Sequence, residues 1–153
     1  MAKINFYKVD KKEKEAVFNA IAAQKGMTPF AVEKDWWVSR TLEIIFQMDI
    51  ANHLVFKGGT SLSKAWKLNK GYNELDFKVI DTGESDQDPR VIEIYYPNVI
   101  TSSSEYVLPR VQIEISCRSL REPFTVKSFG ALVDEVYADK DFAEPLFDIP
   151  TVN

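Results

Sequence analysis

The sequence predicts an α/β fold in which N-terminal helices back a small mixed sheet, and three observations carry that reading. Two apolar-periodic stretches with helix caps fill residues 11–48. Leu54–Trp66 then runs from an apolar strand through Gly58-Gly59 into a helix, and the second half alternates short β-rich runs with polar loops. At 153 residues, 45% of them hydrophobic, the chain is expected to form one globular domain spanning 1–153 with a substantial core. A formal net charge of −4 argues against a non-specific nucleic-acid binder, while leaving room for a local basic groove.

Taken in order, Asp10 and Glu13 form an acidic version of a capping box that opens a helix from about Lys11 to Gln24, closed by Gly26. Thr28 and Pro29 start a longer helix reaching about Met48. Leu54 to Lys57 reads as extended, and Ser61 to Leu68 as a helix with Leu62, Ala65 and Trp66 inward. Leu75–Ile80 and Val91–Tyr96 flank the polar stretch Asp81–Pro89, the pattern of a hairpin with a long loop. Pro97–Glu105 is a further loop, Pro109–Cys117 alternates as a strand, Ala131–Asp139 fits a short helix, and Phe147–Val152 is the last strand. Cys117 and His53 are the only cysteine and histidine, so neither an internal disulfide nor a zinc site is expected. The start MAKINFYKVDKKEKE has no apolar h-region and no stretch approaches a membrane span; a cytoplasmic, membrane-free protein is expected.

The second helix carries an anomaly. At 100° per residue, Phe30, Trp37, Thr41, Ile44, Ile45 and Met48 share one stripe, and Lys34 falls inside it. Either the Lys34 stem runs along the core or meets a carboxylate, or its ammonium reaches a ligand phosphate or metal-binding acid beside Gly58 and Gly59. Asp35 points elsewhere on the helix and is expected to bond only locally. Trp36 and Trp37 read as packing residues, with a nucleobase platform as the other use.

The turn Lys57-Gly58-Gly59-Thr60-Ser61 has the layout of a phosphate grip. Two glycines allow close backbone approach and positive φ, Thr60 or Ser61 can cap the following helix, and Lys57 adds a charge. A plain tight connection has the same letters, and the GxxxxGK[ST] spacing is absent. In Val111–Cys117 the polar residues Gln112, Glu114 and Ser116 take one face, which is either solvated or a site wall. Glu74-Leu75-Asp76 would place two carboxylates on one strand face, as a Mg²⁺ pair requires, but its surroundings read better as the hairpin. The loop acids Asp81, Glu84, Asp86 and Asp88 lack EF-hand spacing and read as a solvated turn.

FKGGTSLSKAW (56–66), VEKDWWVSRTL (32–42), RVQIEISCRS (110–119) and FDIPTV (147–152) together resemble, in content and order, the nucleotidyltransferase family named after the abortive-infection toxin AbiEii. The resemblance implies a nucleotidyltransferase-like sheet and transfer of NMP from an NTP with Mg²⁺. It implies a role in a toxin–antitoxin pair, with an RNA or protein acceptor and a cognate antitoxin as partners. In that scheme Lys57, Gly58, Gly59, Thr60, Ser61 and Lys34 bind the nucleotide, and Glu114 is the catalytic and metal-binding acid, on a strand neighbouring the one that precedes the Gly-Gly turn. One departure is large. Where the family continues from a KAWKL-like helix into a segment resembling RFSEDIDL, whose acids hold Mg²⁺, Leu68 is followed here by Asn69-Lys70-Gly71-Tyr72. The C-terminal helices usual in the family do not follow FDIPTV either, so the resemblance implies a pared-down relative, or one whose internal segment and C-terminus have been removed or left out of this sequence. The competing expectation is a non-catalytic module that binds a nucleotide or a protein through the same cleft.

Overall fold

The computed structural model describes residues 6–57, 76–81, 90–102, 106–115 and 124–152. The architecture is mixed α/β. Helices α1 (Lys11–Lys25) and α2 (Pro29–Gln47) precede strands β1 (Phe56–Lys57), β2 (Asp76–Asp81), β3 (Arg90–Tyr95), β4 (Arg110–Ile115) and β5 (Phe124–Phe129), followed by helix α3 (Leu132–Val136) and strand β6 (Phe147–Val152). These residues group into two compact units. The first comprises Met1–His53, Val99–Thr101 and Lys127–Ile149, and the second Leu54–Asn98, Ser102–Val126 and Pro150–Asn153.

In the first unit the helix boundaries follow from their caps. The Asp10 side chain accepts the Glu13 N–H at 3.0 Å, and Gly26 ends α1 at φ 66°, a conformation that costs an L side chain strain. Thr28 Oγ1 accepts the Ala31 N–H at 3.2 Å, and Pro29 occupies the first turn of α2, where its missing N–H removes no bond. Both helices pack against each other and against α3. Their core gathers Phe6, Phe18, Ile21, Val32, Trp36 and Val133, with Phe6 at its centre, 5.4 Å from the Phe18 ring and 5.5 Å from that of Trp36.

The inward face of α2 holds Phe30 and Lys34 of the apolar stripe but departs from it further along the helix. Ile44 and Met48 are 53% and 54% exposed, whereas Val32, Glu33, Trp36, Ser39, Arg40 and Glu43 are buried. The apolar period was therefore a misleading guide along the C-terminal half of this helix. Charged side chains turn inward because distant parts of the chain supply their partners, and no periodicity argument contains those partners.

In the second unit β2, β3 and β4 form an antiparallel sheet in that order, with Asp76↔Tyr95, Val79↔Ile92, Val91↔Glu114 and Tyr95↔Arg110 opposite one another. The hairpin read from residues 75–96 is present. β1 pairs in parallel with β6 through Phe56↔Thr151 and Lys57↔Val152, in a second three-stranded sheet of order β1-β6-β5. The strand before the Gly-Gly turn thus has β6, and not the Glu114-bearing β4, as its described neighbour. β5 is an element the sequence reading did not anticipate. Residues 124–128 are all exposed, so no buried face imprinted an alternation on the letters.

Candidate functional site

The described members of the expected site divide between the units: Lys34 lies in the first, Lys57 and Glu114 in the second. Gly58, Gly59, Thr60 and Ser61, the helix read at 61–68, the junction Asn69–Tyr72 and Glu74 lie outside the described residues. β1 ends at Lys57, whose backbone is held in register by β6 in a parallel ladder.

Glu114 stands near the end of β4, exposed, and accepts a hydrogen bond from Gln112 Nε2 at 3.2 Å. The ladder sets its distance from the other acid considered for a metal. Asp76 is opposite Tyr95 and Glu114 is opposite Val91, so the two positions are four residues apart along the sheet and two strands apart across it. At about 3.4 Å per residue and 4.8 Å per strand, their backbones are about 17 Å apart. Two side chains and one Mg²⁺, whose ligands sit at about 2.1 Å, do not span that gap. Among the described residues no group of three or more His, Cys, Asp or Glu is placed to hold a metal ion. The described carboxylates therefore do not fit a shared-metal site built on Glu114 and Asp76.

On the same face of β3 and β4 lies a cluster that sequence reasoning missed. Arg110 pairs with Glu93, and the Tyr95 hydroxyl donates to Glu93 Oε2 at 2.7 Å; all three side chains are buried. Burial pushes the Tyr95 hydroxyl up from its ordinary range, and its bond to Glu93 adds to the shift. The sequence carried only half of the signal, the period-two spacing of Glu93 and Tyr95 on one strand and of Arg110, Gln112 and Glu114 on another; the register that joins them comes from the fold. Glu93 is committed to Arg110 and Tyr95, which leaves Glu114 as the exposed acid of this row.

In the first unit Lys34 is 4% exposed on α2 and is engaged in contacts of its own. Its neighbours supply the electrostatics. Glu33, 1% exposed, accepts the Val99 N–H at 2.7 Å and the Ile100 N–H at 2.9 Å, one on each carboxylate oxygen. Desolvation outweighs those two bonds and pushes its carboxyl up to about 7. Asp35 does not bond locally, as the sequence reading expected. It accepts the Leu132 N–H at 2.7 Å, 97 residues away, because Ala131, the residue that caps α3, has no side-chain acceptor to offer. Trp36 is buried and edge-on to Trp37, with ring centroids 4.9 Å apart, a packing arrangement.

Comparison of the chain with protein-family models, with curated proteins and with solved structures finds no match.

Proposed function

We propose that the chain is a nucleotidyltransferase-like protein of the AbiEii toxin class that, in this sequence, holds an NTP at the Lys57–Ser61 turn without transferring its NMP. The observation that carries the second half of this reading is the ladder register that separates Asp76 from Glu114. A triphosphate and a set of carboxylates repel each other unless metal ions lie between them, and one glutamate does not hold those ions. The first half rests on the order of the four motifs and on the strand that leads into the Gly-Gly turn.

In this reading the backbone at Gly58 and Gly59 approaches the β- and γ-phosphates, the Thr60 and Ser61 hydroxyls donate to phosphate oxygens, and Lys57 adds charge. Mg²⁺, when bound with the nucleotide, supplies charge neutralisation. A cognate antitoxin and an RNA or protein acceptor are the partners the resemblance implies; the fold named by it, a nucleotidyltransferase-like sheet backed by helices, is part of the same proposal. The competing reading is full NMP transfer, and it is favoured only if Glu74 and Asp76 act as the metal pair without Glu114.

Labelled-NTP transfer assays with Mg²⁺ decide between them. The chain is expected to transfer nothing detectable, and a variant with an SEDID-like acid pair restored after Leu68 to regain transfer that Glu114→Gln removes. Robust Mg²⁺-dependent transfer by the unmodified chain would overturn the proposal and make Glu74 and Asp76 the metal pair.

A further inference from the structure

The C-terminal half of α2 is amphipathic in reverse. Between Trp37 and Met48 its charged residues, Arg40 and Glu43, are buried and paired with each other, and the positions left exposed or half-exposed are apolar apart from Thr41 and Gln47. Ile44 and Met48 follow one another at i and i+4 on that face, at 53% and 54% exposure, and Ile50, in the 3-10 turn Asp49–His53 after the helix, is 50% exposed. Single apolar side chains on a surface need no explanation. A neutral apolar face on a helix whose charges are all turned inward marks a contact surface.

The charges around this face select its occupant. A helix lying on a bilayer keeps a face rich in Lys and Arg toward water. Here the charged face of α2 is turned into its own unit, its last turn holds no basic residue, and the acid Asp49 is exposed just beyond it, in a chain of net charge −4. A second copy meets no such obstacle. Two neutral faces bring no like charges together, and a two-fold contact needs only a face that complements itself.

That complementarity follows from spacing along the helix. At 1.5 Å per residue Trp37 lies about 10 Å before Ile44, and Asp49 about 7.5 Å after it. An antiparallel pair with its two-fold axis at Ile44 sets Ile44 against its own copy and Met48 beside the second copy's Thr41, and carries Asp49 of each copy to the Trp37 end of the other. That end holds a cation: the Tyr7 ring stands edge-on to Trp37 with centroids 6.0 Å apart, and Lys14 Nζ lies 5.0 Å over the Tyr7 ring. We infer that the outer face of α2 is the seam of a two-fold homodimer, with Ile44 and Met48 of two antiparallel copies in contact and Asp49 of each facing Lys14 of the other. One helix and one turn per copy bury less than the about 800 Å² a side of a standard interface, so the dimer is reversible, with a dissociation constant in the micromolar range or weaker.

Sedimentation equilibrium of the full chain, from about 1 to about 500 µM, tests the seam. The mass is expected to rise from that of one chain toward that of two and to stop there, since a two-fold contact closes. Ile44→Glu and Met48→Glu, each at an exposed position, should raise the dissociation constant by about tenfold or more and leave the melting midpoint of the monomer unchanged. Asp49→Lys should weaken the dimer at low salt, and adding Lys14→Glu should restore it; if that second change prevents folding, loss of the wild-type salt dependence in Asp49→Lys carries the comparison. A monomer throughout, a dimer indifferent to both glutamate variants or to Asp49→Lys, or a mass that climbs past two chains overturns the inference. So does a monomer that floats with vesicles of phosphatidylcholine and phosphatidylglycerol, which would give the face to a lipid surface.

Discussion

Arg40 carries two buried carboxylates, Glu43 and Asp134, and its side chain stacks 6.0 Å from the Phe147 ring. Arg40→Leu is therefore expected to cost about 3–5 kcal/mol in chemical denaturation, because it strands two acids rather than because it removes one favourable pair. Glu33 makes a second prediction, with the opposite logic. Its carboxyl rises from 4.5 to about 7 on folding, so the native state holds the proton more tightly than the unfolded chain. Its contribution is complete below about pH 4.5 and is lost as the pH rises through about 7, at most about 3 kcal/mol in all. Urea denaturation at a series of pH values should show that decline in the wild type, and Glu33→Gln should remove this share of the slope. An unchanged slope in the variant would assign the pH dependence elsewhere.

At the scale of elements, two glycines give contrasting predictions. Gly26 closes α1 at φ 66°, with open space around its missing Cβ, so Gly26→Ala should cost about 1 kcal/mol from backbone strain alone. At Gly130 an added Cβ would meet Leu146 Cδ2, yet that atom is the end of an exposed, flexible side chain. Gly130→Ala should therefore shift the melting midpoint less than Gly26→Ala does, despite the closer contact. The ends of α1 and α2 were legible in the letters because caps are local: Asp10, Gly26, Thr28 and Pro29 act within one turn. The inward face of α2 was not, since Glu33 is satisfied by the amides of Val99 and Ile100 and Arg40 by Asp134, 94 residues away. β5 escaped for the opposite reason: an exposed strand owes its form to pairing and leaves no burial pattern.

At the scale of the whole molecule, the hairpin was readable from two β-rich runs flanking a polar stretch, the strand at 110–115 from period-two alternation, and a last strand was expected at 147–152, but the pairing of β1 with β6 was not readable. Partner choice between strands more than 90 residues apart depends on tertiary packing that a single sequence does not display. Glu114 was legible as an outward acid because its strand alternates cleanly, and the ladder adds what the alternation lacked: how far that acid stands from Asp76. The Glu93–Tyr95–Arg110 cluster went unread because its members sit on two strands whose register only the fold supplies.

The measurement that tests the central claim most directly is equilibrium binding of a non-hydrolysable NTP analogue to the chain and to its Thr60→Ala/Ser61→Ala variant, by titration calorimetry with Mg²⁺ present. If the turn after β1 grips phosphate, the chain binds the analogue weakly, and the double variant loses about 1 kcal/mol of binding free energy for each hydrogen bond removed. Glu114→Gln should leave that affinity within about twofold, since an exposed acid bonded to Gln112 contributes nothing to phosphate grip. Affinity that is equal in the chain and in the Thr60/Ser61 variant, or no binding by the chain at any attainable concentration, would contradict the account and leave the Gly-Gly turn as a connection between two elements.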